Sequence, residues 1–222
     1  MEADSPYRLE RKRMVETQLK SRGIQDPGVL SAFLKVPRHK FVPPDLLDQA
    51  YRDGPLPIGY NQTISQPYIV AVMVQQANTG PGERVLELGT GSGYQAAILA
   101  ELGSEVYTVE RIPELAEQAE TRLERLGYGK INVRLSNGTL GWEEQAPFDA
   151  IIVSAAAPKI PDPLLGQLAE GGRLIIPLDD GPSQILSVVE HTPGGFRKHQ
   201  GDRCTFVPLL GKYGRKRDPL VQ

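Results

Sequence analysis

Short apolar runs alternate with helical stretches from residue 84 onward, and this alternation restricts the fold more than any other feature. The runs have the length and composition of strands that are buried on both faces. Strands joined by helices are typical of a parallel sheet with helices on both sides. We therefore predict an α/β fold with a doubly wound, mostly parallel sheet. The strand runs are RVLEL (84–88), EVYTV (105–109), INVRL (131–135), DAIIVS (149–154) and RLIIPL (173–178), and the helical stretches are AAILAEL, PELAEQAETRLERL and PDPLLGQLAE.

The N-terminal part of the chain has a different sequence pattern, with helix-start signals and several prolines. Ser5-Pro6 is typical of a helix start, and Gly23 is typical of a helix end, so we expect a helix to about Arg22. Asp26-Pro27 repeats this start for a short helix through Leu34. Three prolines then break any longer element into turns, namely Pro37, Pro43 and Pro44.

Residues 1–80 are therefore predicted to form a helical and loop extension, and residues 81–222 the sheet domain, within one compact unit. Beyond the parallel strands, no helical pattern separates the remaining apolar runs. We expect these runs to form antiparallel strands joined by hairpins. They are QILSVVEH, GFRKH and CTFVPLL.

The composition excludes several classes of protein. The chain has 25 basic and 27 acidic residues in 222, a net charge of −2, so no overall basic field would attract nucleic acid or a membrane surface. The lone Cys204 excludes an internal disulfide framework and a multi-cysteine metal site, and we expect no metal. No apolar signal-peptide core or membrane-spanning stretch is present, so we expect a cytoplasmic protein.

A glycine-rich turn, Gly89-Thr90-Gly91-Ser92-Gly93, follows the first parallel strand. Doubly wound sheets bind ligands beyond the carboxyl ends of the strands, where the strand order reverses, and glycines there allow close approach of the backbone. The dinucleotide fingerprint is G-x-G-x-x-G, whereas this turn reads G-x-G-x-G and Tyr94 takes the place of the third glycine, which argues against NAD. Alone, such a turn can also be merely a tight connection between a strand and a helix.

Two acidic residues flank this turn. Glu87 lies within the first strand, where a carboxylate is unfavourable beside pyrophosphate but favourable near a cation. Glu110 ends the second strand, where it can accept hydrogen bonds from both hydroxyls of a ribose, although an exposed strand-end carboxylate is about as common. The combination favours a cationic nucleoside such as S-adenosyl-L-methionine, which has one ribose, an ammonium and a sulfonium, and no phosphate.

Seven longer stretches, taken in order, are specific to one family: VPRHKFVP (36–43), AYRDGPLPIGYNQTISQPYIVA (50–71), LELGTGSGYQAA, YTVERIPELAEQA, FDAIIVSAAAP (148–158), LAEGGRLIIPL and FVPLL (206–210). Over roughly residues 35–210 the chain resembles the bacterial protein-L-isoaspartate O-methyltransferases. The resemblance implies the class I S-adenosylmethionine-dependent methyltransferase (Rossmann-like) fold, with the N-terminal extension on the substrate side of the cleft. It also implies methyl transfer from S-adenosyl-L-methionine to the free α-carboxylate of L-isoaspartyl residues in damaged proteins, with S-adenosyl-L-homocysteine as product.

The resemblance also assigns site residues. Ser65, within YNQTISQP (60–67), is assigned to the active site. From its residues alone, this segment is a polar loop between Gly59 and Pro67, whose hydroxyls either bind a carboxylate or only belong to a connection. Position in the family motifs places Glu87 beside the methionine part of the cofactor and Glu110 on the ribose. The residues assigned to the cofactor are Gln62, Thr63, Ile64, Glu87, Gly89, Thr90, Gly91, Gly93, Glu110, Arg111, Asn137 and Gly138.

The chain departs from the family pattern at two places. Ser136-Asn137-Gly138 stands where the family usually has Gly-Asp-Gly. Asn137 can still bond the adenine edge, but it loses the charge-assisted acceptance of a carboxylate, so we expect cofactor binding that is retained but weaker. Asp179-Asp180 stands where a glycine is commoner, so the shape of that loop is expected to differ.

Two segments are expected on the substrate side. Ser154-Ala155-Ala156-Ala157-Pro158 either leaves space for a bulky peptide or serves tight packing. The resemblance places an extended substrate near the C-terminal strand, so that Phe206 to Leu209 would contribute main-chain hydrogen bonds. The acceptor carboxylate is already ionised at neutral pH, so no general base is needed, and Ser65 is expected to orient the substrate. The histidines expected to be surface or core residues are His39, His191 and His199.

Four other functions remain open at this level. An NAD oxidoreductase is disfavoured by Tyr94 and by the YNQTISQP segment. A nucleic-acid methyltransferase would show a basic face or a motif such as Asn-Pro-Pro-Tyr, but the one dense basic run is KYGRKR (212–217), interpreted as a solvated end. Asn137 alone supports a protein that binds the cofactor without catalysis, and a methyltransferase with another acceptor is a further alternative. We expect a monomer that acts on isoaspartyl-containing proteins and peptides, without nucleic acid or membrane.

Overall fold

A computed structural model describes residues 6–216, and its strands are β1 Leu56–Gly59, β2 Gln62–Ile64, β3 Arg84–Leu88, β4 Glu105–Glu110, β5 Asn132–Leu135, β6 Phe148–Val153, β7 Leu168–Asp180, β8 Ser183–Thr192 and β9 Gly195–Cys204. The last seven strands form one sheet in the order β5-β4-β3-β6-β7-β8-β9. Strands β3 to β7 are parallel, and β8 and β9 are antiparallel to their neighbours. The strand order reverses beside β3, and the predicted fold class is confirmed.

The α-helices are α1 Pro6–Met14, α2 Pro27–Lys35, α3 Pro67–Ala77, α4 Tyr94–Glu101, α5 Pro113–Arg125 and α6 Asp162–Leu165. A proline opens α2, α3 and α5, at the position where the missing N–H removes no helical hydrogen bond. Within residues 6–216, none of these helices combines the length and the apolar character that crossing a membrane requires.

Both faces of the central strands are buried. Alternate side chains of β3 and β6 enter two different apolar clusters, since side chains of a strand point to opposite faces. Val85 and Ile152 join a cluster that also contains Met14 and other side chains of the N-terminal extension. Leu86 and Val153 join the cluster on the opposite face. This two-sided burial explains the continuous apolar runs of the sequence. The division of the chain at residue 80 stays a prediction.

The extension folds largely as predicted. Helix α1 continues as a π-helical turn and a 3₁₀ turn to Arg22, and Gly23 ends it with φ of +95°. The proposed start at Ser5 lies outside the described residues. At the second predicted start, Asp26 Oδ1 accepts a hydrogen bond from Val29 N at 2.8 Å, which is the expected N-cap.

Two predictions about the secondary structure of the sheet domain are wrong. The stretch PDPLLGQLAE forms only the four-residue α6, because Gly166 follows it and Leu168 already pairs with Phe148 as the start of β7. The run CTFVPLL is not a strand: Cys204 ends β9, and beyond it two isolated bridges join Pro208 to Ala156 and Leu210 to Arg215. Proline lacks the N–H that a continuing ladder needs.

Candidate active site

A cleft with about 830 Å³ of empty space opens at the carboxyl ends of β3 and β4, beside the point where the strand order reverses. This is the position that a doubly wound sheet provides for a ligand. Most of the residues assigned from the sequence line this cleft, although they come from segments that are distant along the chain. They are Gln62, Thr63, Ile64, Ser65, Glu87, Gly89, Thr90, Gly91, Glu110, Arg111 and Gly138.

The glycine turn joins β3 to α4. Gly89 has φ of +96°, a left-handed conformation that side chains with a Cβ rarely adopt. Gly93 does not line the cleft, and its assigned contact with the cofactor stays a prediction. It stands before the first residue of α4, and a Cβ added there would lie 3.2 Å from Leu123 Cγ on α5. Gly93 therefore serves close packing between α4 and α5.

Glu87 is a buried carboxyl group on β3, with 1% of its surface exposed. Its Oε2 accepts a hydrogen bond from Thr108 Oγ1 at 2.6 Å, and Thr108 Oγ1 lies 2.7 Å from Thr90 Oγ1. Burial raises the pKa of Glu87 from 4.5 to about 8; hydrogen bonds from Thr108 and Gln95 oppose this rise, and the charge of Glu110 adds to it. Without a nearby cation the group keeps its proton at neutral pH, and a cation would favour its ionised form.

Glu110 ends β4 at the rim of the same turn. Its Oε2 accepts a hydrogen bond from Gly91 N at 2.9 Å. Its Oε1 accepts from Arg111 N at 2.8 Å and from Ile112 N at 3.0 Å. These bonds orient the carboxylate toward the glycine turn. Oε1 uses both of its lone pairs, whereas Oε2 keeps a further lone pair for a ligand hydroxyl.

A second, open cavity of about 1670 Å³ meets the cleft, and we call it the groove. The residues that line both the cleft and the groove are Thr63, Ser65, Ser154 and Val207. Ser65 therefore stands where the two cavities meet. Charged side chains also line the groove, namely Arg22, Asp202 and Arg203.

A β-hairpin carries Ser65 to this junction. The expected polar loop is wrong for Gln62–Ile64, since β2 pairs with β1 in antiparallel register. Tyr60 and Asn61 connect the two strands with φ of +53° and +55°, the sign that a type I′ turn requires at both positions. Ile58 of β1 reaches the glycine turn, because its Cδ1 lies 3.4 Å from the position of a Cβ on Gly91.

Asn137 lies beside the cleft without lining it. Its Oδ1 accepts hydrogen bonds from Thr139 N at 3.0 Å and from Thr139 Oγ1 at 2.8 Å. The side chain thereby caps the short 3₁₀ turn Gly138–Leu140. The proposed contact between Asn137 and adenine stays a prediction.

Gln95 lines the cleft and was not among the expected site residues. Its Nε2 donates to Ser154 Oγ at 3.1 Å, and its side chain also bonds Glu87. In the sequence, Gln95 can be recognised as a polar residue within the otherwise apolar stretch YQAAILA. In the small-residue segment, Ser154 and Ala155 line the cleft, whereas Ala156 is buried and bonded to the C-terminal part of the chain, as tight packing predicts. Space for a bulky peptide beside this segment stays a prediction.

Tyr94 explains the departure from the dinucleotide fingerprint. Its buried ring packs edge-on against Phe33 and Phe41 of the extension, with ring centroids 5.9 and 5.4 Å apart. The guanidinium carbon of Arg38 lies 5.0 Å from the same ring, and Arg38 Nε donates to the Ala50 carbonyl at 2.9 Å. Burial lowers the pKa of Arg38 to about 10. Tyr94, at the third glycine position of the fingerprint, thus packs the N-terminal extension against the glycine turn.

The C-terminal run 206–209 is largely bonded within the protein. Phe206 exchanges two hydrogen bonds with the side-chain amide of Gln184, at 2.6 and 3.1 Å. The Val207 carbonyl and Leu209 N both bond Ala156 at 2.8 Å. Within residues 6–216, two main-chain groups of this run have no hydrogen-bond partner, the Val207 N–H and the Pro208 carbonyl. Only these two groups are available to pair with an extended substrate, as the sequence predicted for the whole run.

The histidines lie away from both cavities. His39 stacks on Tyr7 with centroids 4.1 Å apart, and His191 stacks on Phe196 at 4.7 Å. His199 Nε2 lies 3.6 Å from a carboxylate oxygen of Glu190. As expected, they are surface or packing residues.

The strand order, the two carboxylates beside the glycine turn, and Tyr94 at the third glycine position of the dinucleotide fingerprint place the chain among the class I S-adenosylmethionine-dependent methyltransferases. The sequence profile of the family described as protein-L-isoaspartate(D-aspartate) O-methyltransferase matches residues 9–214. The chain belongs to this family.

Individual relatives agree with this assignment. The chain is 56% identical over 208 residues to protein-L-isoaspartate O-methyltransferase 1 of Syntrophobacter fumaroxidans, covering 94% of this chain and 97% of the relative. It is 54% identical over 209 residues to the protein-L-isoaspartate O-methyltransferase of Geobacter metallireducens, with the same coverages of 94% and 97%.

Solved structures are similar as well. One protein-L-isoaspartate O-methyltransferase matches with a TM-score of 0.82 and 28% identity, covering 92% of this chain and 67% of the other. A putative protein-L-isoaspartate O-methyltransferase from Plasmodium falciparum, in complex with S-adenosyl-L-homocysteine, matches with a TM-score of 0.79 and 30% identity, covering 90% and 98%.

Proposed function

We propose that this protein transfers a methyl group from S-adenosyl-L-methionine to the free α-carboxylate of L-isoaspartyl residues in damaged proteins and peptides. The observation that carries the proposal is the junction of two cavities at Ser65. One cavity has the carboxylates and glycine turn suited to a cationic nucleoside, and the other is an open groove that can admit a polypeptide. Family membership identifies the reaction that joins them.

The residues of the cleft fit the cofactor. Glu87 supplies a buried acceptor for positive charge, and Glu110 supplies a strand-end oxygen, Oε2, for a ribose hydroxyl. The glycine turn allows the backbone to approach the ligand, and Gly138 leaves space on the opposite side. When bound, S-adenosyl-L-methionine supplies an activated methyl group, and S-adenosyl-L-homocysteine remains after transfer.

The acceptor needs little chemical activation. A carboxylate with a pKa near 4 is ionised at neutral pH, so no side chain has to remove a proton. What remains is to align the reacting groups and to exclude water from them. The position of Ser65 in the lining of both cavities supports a hydrogen bond from its hydroxyl to an acceptor carboxylate that enters through the groove, and Ser65 then acts as an orienting residue.

The product explains the repair. The methyl ester carbonyl is more electrophilic than the carboxylate and carries a better leaving group, so the following backbone nitrogen attacks the ester carbon, its N–C bond forms, and the C–OCH3 bond breaks with loss of methanol, which gives a succinimide. Hydrolysis of this ring returns part of the material to normal aspartate. The enzyme therefore supplies only the activation step.

Transfer of labelled methyl to two matched peptides tests the proposal, one peptide with L-isoaspartate and the other with L-aspartate at the same position. We expect base-labile label on the isoaspartyl peptide only. Equal labelling, or label on neither peptide while the cofactor binds, would contradict the proposed acceptor.

We further propose that the protein acts as a cytoplasmic monomer without nucleic acid or membrane. The net charge of −2 supports this, since it provides no general attraction to polyanions. Light scattering coupled to size exclusion tests the monomer: a mass near 24.3 kDa is expected, and a mass near twice that value would refute it.

A further inference from the structure

The last described residues, 205–216, fold back along the cleft, and we call them the C-terminal segment. Val207 and Leu209 are bonded to Ala156, and residues 207–210 form one wall of the cleft. The chain then reverses direction, with Gly214 N donating to the Gly211 carbonyl at 3.1 Å. Arg215 N donates to the Leu209 carbonyl at 2.7 Å, so the reversed part is bonded directly to the wall.

Both departures from the family pattern contact this segment. Arg215 Nη2 donates to Asp179 Oδ2 at 2.6 Å, and the two side chains are 39% and 22% exposed. Gly211 has φ of +143° and lies so close to Asn137 that a Cβ at Gly211 would collide with its amide group. The two departures, at Asp179 and Asn137, thus both lie against the C-terminal segment.

A third contact holds the turn at residues 211–214 in place. Tyr213 N donates to Thr139 Oγ1 at 3.3 Å, and the same hydroxyl donates to Asn137 Oδ1. The ion pair attaches the segment to the end of β7, whereas the Asn137 and Thr139 contacts attach it to the connection after β5. These two strand ends lie on opposite sides of β3, so the segment crosses the cleft.

We propose that Arg215 is a positioning residue for cofactor binding: paired with Asp179, it holds Leu209 and Leu210 in place as a wall of the cleft. This inference rests on the proposed function for the identity of the ligand. Loss of the pair leaves only neutral hydrogen bonds and packing to hold residues 211–216, so the wall becomes mobile and cofactor binding has to order it again.

The expected effect is modest, because the ion pair is partly exposed. Pairs of this kind contribute up to about 1 kcal/mol, which corresponds to about a fivefold change in Kd. Arg134 provides a matched control. It forms an ion pair with Glu144 at 2.8 Å and is 36% exposed, but neither residue lines the cleft or the groove.

Calorimetric titration with S-adenosyl-L-homocysteine tests the inference. We expect Arg215→Ala and Asp179→Ala each to raise Kd about three- to fivefold, and the double variant to show no larger increase. Arg215→Lys, and the exchange of the two charges in Asp179→Arg with Arg215→Asp, should each restore part of the affinity. With a saturating cofactor, kcat for the isoaspartyl peptide should stay within about twofold.

An unchanged Kd in Arg215→Ala would overturn the inference, and so would an equal increase in Arg134→Ala or simple addition of the two single effects. The measurement needs no methyl acceptor. If no peptide is methylated while the differences in Kd appear, the inference stands and the proposed acceptor alone is refuted.

Discussion

Replacing Glu87 by glutamine is expected to reduce the pH dependence of stability. In the wild type, burial raises the pKa of this carboxyl from 4.5 to about 8. Between these values the native state keeps a proton that the unfolded chain has released, so the free energy of unfolding falls as pH rises, by about 1.4 kcal/mol per pH unit. The contribution is fully present below pH 4.5 and is lost as pH approaches 8.

From pH 5 to pH 7 this loss amounts to roughly 2 to 3 kcal/mol. Glutamine has no proton to release, and its Oε1 can still accept the hydrogen bond from Thr108 Oγ1. Any cost of fitting its amide group is the same at both pH values and cancels in the comparison. The variant should therefore gain stability relative to the wild type by this amount between pH 5 and pH 7.

Urea unfolding of both proteins without cofactor, at pH 5 and pH 7, measures this difference. All other titrating groups are shared, so their contributions cancel as well. Stability curves that shift in parallel with pH would refute the reasoning, because they would mean that Glu87 ionises alike in the native and unfolded states.

Three further predictions concern the site. Ser65→Ala should lower kcat about tenfold to a hundredfold with little change in the Kd of the cofactor, because a hydrogen bond to a charged group is worth about 1.5 to 3 kcal/mol; unchanged turnover would remove Ser65 from the mechanism. Asn137→Asp should lower the Kd of S-adenosyl-L-methionine about fivefold by calorimetry, since a carboxylate accepts more strongly from an amine; weaker binding would place Asn137 away from adenine. Binding of the cationic cofactor at pH 7 should release about one proton from Glu87, detected by calorimetry in buffers of different ionisation enthalpy. The Glu87→Gln variant should release almost none, and equal release in both proteins would assign the proton to another group.

The sequence predicts the cofactor side of the site better than any other part. Glu87 and Glu110 lie near the ends of two adjacent parallel strands, and such strand ends meet at one edge of the sheet whatever the rest of the chain does. The prediction that Ser65 lies in the active site depended on the family resemblance. The contacts that bring it to Ser154 and Val207 join segments about 90 and 140 residues away, and no local periodicity encodes such contacts.

Local sequence patterns predicted the wrong secondary structure where pairing with another strand determines it. The stretch 161–170 has helical spacing, but its end pairs with β6 and becomes a strand. The hydroxyl groups of YNQTISQP suggested a loop, whereas pairing with β1 makes part of it a hairpin. The ion pair between Asp179 and Arg215 spans 36 residues, and the sequence showed only that Asp179 was unusual.

A time course on an isoaspartyl peptide shows whether this protein activates damaged aspartyl residues for repair. The peptide is incubated with the protein and S-adenosyl-L-methionine, and its forms are separated by chromatography and identified by mass. We predict the successive appearance of the methyl ester, the succinimide and the normal aspartyl peptide, with none of these conversions accelerated when the cofactor is omitted. An isoaspartyl peptide that persists unchanged, while the cofactor is shown to bind, would contradict the account.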